Sequence, residues 1–346
     1  MRRLRSRPAL ITGFAVVLLA AAVGVAGSGV FASAAVSAAP SPTIAQIAAI
    51  SHAPTLVPAP SATPTPTPTP TRTATETPTP TPAPPPLPAL LGAIGDSYTT
   101  AFSISPQLLY DHRQYSWAVG TAKNDGVLSL LERFRALGDS PVVADAATMG
   151  RRMTDAPRQA GIIVAAAKKL APGKTAYVTF ELGTNDLCGD PMTDPATFQG
   201  GLSAALDTLK AGLPAGSRVL LLAVPDFPHF HDMTQADPKT KAALLLTVNS
   251  NRCPPYLGDF GSPSFDTADY YLTTYDSMLQ AGCAGMNTGA GTPRVTCIYD
   301  PGLLSESDFV AKDLSTADYF HPSFTGQAKM AESAWLAGPW ASVPLP

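Results

Sequence analysis

The sequence predicts an α/β fold, a parallel β-sheet held between two layers of α-helices. Three observations predict it. Four short runs rich in Val, Ile and Leu, each bounded by Gly, Pro or Asp, recur at residues 90–95, 142–147, 176–182 and 219–224. Stretches with helical spacing of apolar residues lie between them, at 126–137, 155–170 and 197–213, with another after the last run at 239–249. The segment that carries all of these, residues 89–346, is long enough to bury one sizeable core.

Each element follows from that pattern. The four apolar runs read as buried strands, short and bounded by turn residues. Strand and helix alternating at this spacing implies parallel strands joined by helical crossovers. A last helix is expected from about Ser323, because Gln327-Ala328 leads into a regular apolar pattern through Trp335. In such sheets reactive groups collect at the carboxyl ends of the strands, and Ser97, Gly150 and Asn185 all sit just past strand ends.

Outside that segment the composition changes. Residues 1–7 carry four arginines, residues 8–27 are uncharged and mostly apolar, and Ala32-Ser33-Ala34 offers small residues in a cleavable pattern. Residues 1–38 therefore read as an export signal or, if uncleaved, as a membrane anchor, since the apolar stretch is about as long as a bilayer is thick. Residues 39–88 read as a disordered linker. From residue 53 on it is dominated by alternating Thr-Pro, where proline fixes φ and removes donors. At roughly 3.1 Å per residue, 53–88 would span about 110 Å. Either fate of the N-terminus puts residues 89–346 outside the cytoplasm, secreted or held at the cell surface.

That domain keeps 18 of the 23 basic and 25 of the 26 acidic residues, a net charge of −7 without basic runs, which argues against a nucleic-acid partner. All four cysteines, Cys188, Cys253, Cys283 and Cys297, fall within it. An even number in an exported chain favours disulfides over a metal site, and no CxxC spacing supports zinc. Three pairings are open. Cys283 and Cys297 bracket a Gly/Thr/Asn-rich loop and are the easiest pair to close, which leaves Cys188 with Cys253.

Gly95-Asp96-Ser97-Tyr98 ends the first apolar run. A serine on a tight turn at the carboxyl end of a strand has its hydroxyl lifted clear of the sheet, which suits a nucleophile. A free serine hydroxyl is a poor one and needs a base. The chain holds five histidines, and His52 lies outside the domain. His321 follows Asp318 by three residues in a loop entering the last helix, so the carboxylate can reach one imidazole nitrogen while the other faces Ser97. Ser97, His321 and Asp318 are expected as nucleophile, base and orienting acid. The oxyanion of acyl transfer needs fixed donors, and three are on offer: the backbone N–H groups of Ser97 and Gly150 and the side-chain amide of Asn185. Gly150 has no Cβ to block a substrate, and Asp186 is expected to fix the Asn185 loop. Singly these are a helix-capping acid, a turn glycine and a loop asparagine. Jointly they describe a serine ester hydrolase with no metal and no cofactor.

Other features are set aside on position. Gly138-Asp139-Ser140 repeats the tripeptide, but Pro141 and a strand follow it, which puts Ser140 on the opposite rim. The chain lacks Gly-x-Ser-x-Gly, against an α/β-hydrolase elbow. His229-Phe230-His231-Asp232 offers two candidate metal ligands without an evident third, and reads instead as a loop lining the mouth of the site. Trp117 and Phe102 are candidates for an acyl pocket or simply for the core.

These pieces resemble the SGNH (GDSL-type) hydrolase superfamily. Gly95-Asp96-Ser97 resembles its first block, Gly150 its second, Gly183-Thr184-Asn185-Asp186 its third and Asp318-Tyr319-Phe320-His321 its fifth, over most of residues 90–338. Ser116-Trp117-Ala118-Val119-Gly120 and Asn185-Asp186-Leu187-Cys188 resemble stretches of its phospholipase-B-like lipase branch. The resemblance implies a three-layer α/β/α sandwich of flavodoxin-like type and metal-free ester hydrolysis through an acyl-serine. It also implies the same roles for Ser97, His321, Asp318, Gly150 and Asn185. Two departures stand out. Tyr98 replaces the usual Leu, at a position that is not catalytic. Arg151-Arg152 follows Gly150 where small residues are commoner, either to meet an anionic group such as a phosphate or as a solvated loop.

The expected protein is thus a monomeric lipase or esterase acting on acyl esters, phospholipid included, with the N-terminal segment associating it with a membrane or cell envelope. Removal of O-acetyl groups from polysaccharides stays open beside it. A non-catalytic envelope-binding module would lack at least one catalytic group, yet all five candidates are present.

Overall fold

The computed structural model describes residues 84–246, 253, 256, 265–289, 294–302 and 309–346. All of them lie in one compact unit, Thr77–Pro346. The export segment, nearly all of the Thr/Pro linker and the end of the helix expected at 239–249 fall outside the described residues. Pro85 and Leu87, at the end of the expected linker, pack on the folded unit. The Trp340 indole N–H donates to the Pro85 carbonyl at 2.9 Å, and Leu87 rests against the core. No described helix is long and apolar enough to cross a membrane.

Five strands form one parallel sheet: β1 (Leu90–Gly95), β2 (Val142–Asp145), β3 (Ala176–Glu181), β4 (Ser217–Leu222) and β5 (Val295–Asp300). Their spatial order is β2-β1-β3-β4-β5. β1 and β3 are buried at every residue, as unbroken apolar runs require of central strands. The sequence predicts 219–224 as the last strand, but β5 follows it at the far edge. Thr296 and the partly exposed Ile298 and Tyr299 interrupt the apolar run that marks the others.

The helices are α1 (Leu130–Ala136), α2 (Ala156–Leu170), the short α3 (Thr184–Leu187), α4 (Pro195–Gly212), α5 (Phe227–Ala236), α6 (Pro238–Leu246), α7 (Phe265–Met286) and α8 (Phe324–Ala337). Several start where short polar side chains cap them. Ser129 Oγ accepts from Glu132 N–H while the Glu132 carboxylate accepts from Ser129 N–H, which starts α1 at Leu130 rather than at the expected 126. Asp194, Asp226 and Ser323 cap α4, α5 and α8 with single bonds, accepting from the N–H groups of Thr197, His229 and Gly326. Successive residues of β3 show the two layers, since neighbouring side chains on a strand point to opposite faces. Tyr177 stands edge-on to Phe134 of α1, whereas Val178 lies with Ile163 of α2 over Gly92. α2, α4 and α7 pack side by side, and α1 meets α8.

This strand order changes direction between β1 and β3, and such sheets hold ligands outside the carboxyl ends of the strands at that switch point. Gly95 of β1 pairs with Glu181 of β3. The turns that follow the two strands therefore leave the sheet at one level.

Candidate active site

Beyond Gly95 the chain turns sharply. Thr100 N–H donates to Asp96 O at 3.1 Å and Phe102 N–H to Ser97 O at 3.0 Å. Only glycine fits at 95, because a Cβ would overlap Thr99 Oγ1 and lie 2.6 Å from the Thr99 Cβ. Gln159 of α2 grips the same residue, its Oε1 accepting from Gly95 N–H at 2.8 Å and its Nε2 donating to Gly95 O at 3.0 Å. Ser97 is presented two residues beyond this pinned strand end, with 6% of its surface exposed.

His321 arrives from the loop before α8. A bridge between Leu314 and Pro322, with Ser315 N–H on His321 O at 2.7 Å, folds that loop tightly. Tyr319 takes a left-handed φ of 50°, uncommon for a bulky residue. The bend puts Asp318 Oδ1 on the N–H groups of Phe320 (3.1 Å) and His321 (3.0 Å). Asp318 Oδ2 lies 2.7 Å from His321 Nδ1, and His321 Nε2 lies 2.9 Å from Ser97 Oγ. Burial pushes the Asp318 carboxyl up, but the charge of His321 and the hydrogen bonds from His321 and Phe320 outweigh it and hold the group below its ordinary range. An ionised carboxylate only accepts, so Nδ1 carries the ring proton and Nε2 is left to accept from the Ser97 hydroxyl. Phe102, Tyr98 and Phe320 enclose the imidazole, with ring centres 5.0, 5.6 and 4.9 Å away. Such a line can take the proton from a serine as it attacks a carbonyl.

Gly150 follows β2 with a φ of 71°. A Cβ there would meet nothing within 4 Å, so the left-handed backbone rather than space calls for glycine. The N–H groups of Ser97 and Gly150 have no acceptor among the described residues. Asn185 differs. Its amide donates to Asp96 Oδ2 at 2.8 Å and to Arg151 O at 3.1 Å, so both its protons are engaged, and a third donor for an oxyanion requires one of these contacts to open.

Three further acids lie behind this rim. Asp186 Oδ2 accepts from Met153 N–H at 2.7 Å, which fastens the Asn185 turn to the loop after Gly150, and burial pushes this carboxyl up to about 6. Asp96 and Glu181 are buried together. Burial raises both, and the charge of Glu181 raises Asp96 further. Thr99 Oγ1 donates to Glu181 Oε2 at 2.8 Å. Glu181 is absent from the sequence-derived site, although an acid ending an otherwise uncharged buried strand is a visible signal.

The remaining candidates separate. Ser140 is exposed ahead of β2, away from the carboxyl rim. His229 and His231 sit in helix α5 rather than in a loop, because Asp226 caps that helix, and their rings lie 2.8 Å from Phe309 O and 2.7 Å from Tyr256 O. Among the described residues no group of three or more His, Cys, Asp or Glu gathers to hold a metal. Trp117 is core, set by a turn in which Ser116 Oγ accepts from the N–H groups of Ala118 and Val119. Arg152 donates to Pro191 O at 3.1 Å, while Arg151, half-buried beside Gly150, reaches Asp155 at 3.4 Å. Disulfides join Cys188 to Cys253 and Cys283 to Cys297. A cavity of about 450 Å³ between α5 and α7, lined by Asp226, Asp269, Asp276 and Tyr299 among others, includes none of Ser97, His321, Asp318, Gly150 or Asn185.

Comparison with known proteins bears on this site. The chain matches the family described as GDSL-like Lipase/Acylhydrolase over residues 91–334. Among solved structures it is similar to a psychrotrophic esterase, EstA, from Pseudoalteromonas sp. inhibited by monoethylphosphonate, at 15% identity and a TM-score of 0.40 over 72% of this chain and 96% of that one. It is similar also to a lipase/acylhydrolase from Enterococcus faecalis, at 15% identity and a TM-score of 0.40 over 72% and 95%. No curated protein matches. The family match spans β1 to α8 and takes in Ser97, Gly150, Asn185, Asp318 and His321; the chain belongs to the GDSL-like lipase/acylhydrolase family, serine hydrolases of ester substrates.

Proposed function

We propose that the protein is a carboxylic ester hydrolase of lipase or esterase type, working outside the cytoplasm through an acyl-serine intermediate. The single observation that carries this is the unbroken hydrogen-bonded line from Asp318 through His321 to Ser97. Ser97 Oγ attacks the acyl carbon as its proton passes to His321 Nε2. The new Oγ–C bond leaves a tetrahedral oxyanion, for which the open N–H groups of Ser97 and Gly150 serve as donors, with Asn185 joining once its amide leaves Arg151 O. Collapse breaks the ester C–O bond, and Nε2 returns its proton to the departing alkoxide. Water, losing a proton to the same nitrogen, adds to the acyl carbon. The Oγ–C bond then breaks, releasing the carboxylic acid and restoring the serine. Asp318 stays ionised throughout and offsets the imidazolium.

Two features support the finer reading. The two disulfides favour an oxidising, extracytoplasmic setting. The partly exposed Arg151 side chain beside Gly150, paired at one nitrogen with Asp155, suits a phosphate, and hence a phospholipid among the acyl esters. Hydrolysis of p-nitrophenyl esters from acetate to palmitate, with Ser97→Ala and His321→Ala in parallel, tests the function. Each variant is expected to lose on the order of a thousandfold or more in kcat. Equal turnover by Ser97→Ala would overturn the assignment, and the preferred chain length separates lipase from acetylesterase.

A further inference from the structure

Ser97 and His321 stand 224 residues apart in sequence, and the residue next to each ties the pair together. The Tyr98 phenol O–H donates to the Phe320 carbonyl at 2.8 Å. Its ring stands edge-on to Phe320 at 5.7 Å and tilted against the His321 imidazole at 5.6 Å. At its other end Tyr98 is held as firmly. Its carbonyl accepts from Gln327 Nε2 at 2.9 Å, and Gln327 Oε1 accepts from Trp117 N–H at 2.8 Å. Gln327 lies in the first turns of α8, six residues beyond His321. Tyr98, Trp117, Phe320 and Gln327 are all buried. A closed ring results: Ser97 to Tyr98 by covalent bonds, Tyr98 to Phe320 by a hydrogen bond, Phe320 to His321 covalently, and His321 back to Ser97.

We propose that Tyr98 is a positioning residue, which through its phenol oxygen holds the His321 ring at hydrogen-bond distance from Ser97. This rests on the hydrolase reading. A buried phenol needs an acceptor. The acceptor here belongs to the peptide group joining Phe320 to His321, so the bond sets the orientation of the backbone from which the imidazole projects. Proton transfer requires Oγ and Nε2 to stay within hydrogen-bond reach, and a displacement of about 1 Å costs on the order of a hundredfold. The contact touches the catalytic pair and not the substrate, so it acts on kcat rather than on KM. The leucine usual at this position in the superfamily has no group to make the bond. Position 98, inert by sequence pattern, is therefore a working position in this chain, because its partner lies 222 residues away.

Tyr98→Phe in the full chain removes one oxygen and keeps the ring. With p-nitrophenyl butyrate, kcat is expected to fall about tenfold or more while KM stays within about twofold. The proton NMR resonance of His321 Nδ1–H, identified by its absence from His321→Ala, is expected to broaden or shift. A lowered melting temperature with unchanged kcat and an unmoved resonance would reduce Tyr98 to a packing residue and overturn the proposal. A native chain that hydrolyses no ester would instead sink the hydrolase reading, and the resonance would still report on positioning.

Discussion

Asp318 stands apart from the other buried acids near Ser97. Asp96, Glu181 and Asp186 are all pushed up by burial, whereas Asp318 is held down because His321 and two backbone N–H groups face it. An amide at 318 would keep the shape but lose the charge and allow the wrong imidazole tautomer. Asp318→Asn is therefore expected to lower kcat on the order of a thousandfold or more, with an unchanged circular dichroism spectrum. The sign of the pH effect on stability follows from the same depression. The contribution of Asp318 is complete above the ordinary carboxylate pKa of about 4 and is lost as pH falls through its lower folded value. Gly95 makes a steric counterpart. Gly95→Ala would drive a methyl into Thr99, and a loss of about 1–3 kcal/mol is expected in urea unfolding. Ser97, Gly150 and the Asp318–His321 pair stand out in the sequence because each belongs to a short motif at a turn, whereas Glu181, at the end of a buried strand, is not among the expected site residues. Tyr98 does not stand out either, since its role depends on a carbonyl that no local pattern reveals.

At the scale of elements, α2 does more than cover the sheet. β2 ends at Asp145, paired with Ala93, and so leaves Gly95 without a strand partner on that side. There the Gln159 carboxamide pairs with the Gly95 N–H, while the Gly95 carbonyl accepts from both Gln159 and Thr148 N–H. Gln159→Leu would leave Gly95 N–H buried and unpaired, and a stability loss of about 1–3 kcal/mol is expected from denaturant unfolding. A melting temperature equal to that of the native chain would contradict this role. The central strands and α2, α4 and α8 are plain in the sequence, because an unbroken apolar run or a clean helical stripe needs no tertiary information. β5 and α7 are harder. β5 alternates with partly exposed residues at an edge. α7 is rich in Tyr, Thr and Asp, which weakens its intrinsic helix signal. Its buried stripe of Ala268, Leu272, Tyr275, Leu279, Cys283 and Met286 nevertheless keeps steps of three and four, and that spacing is the sign by which the sequence betrays it.

Across the whole molecule, burial of acids couples stability to pH. Asp186 and Asp276 are both raised to about 6, chiefly by burial. A carboxyl whose folded pKa lies above its unfolded value binds its proton more tightly when folded. Its contribution is complete below about pH 4 and is lost as pH rises through about 6. Melting temperature is therefore expected to rise as pH drops from about 7 to about 5, and the slope to flatten in Asp276→Asn, which keeps an acceptor for Val224 N–H. A slope unchanged by the substitution would contradict this. The disulfides act on the same balance, and closing the Cys283–Cys297 loop is worth about 3 kcal/mol against the unfolded chain. The fold, the capped turns and the crossover topology together serve to bring Ser97 against His321 at the carboxyl ends of β1 and β3. The most direct test is covalent trapping: react the full chain with an alkyl fluorophosphonate and locate the adduct by peptide mass spectrometry. One adduct on Ser97, lost in Ser97→Ala and slowed in His321→Ala, is the expected result. An adduct on another serine, or labelling indifferent to His321, would contradict the account.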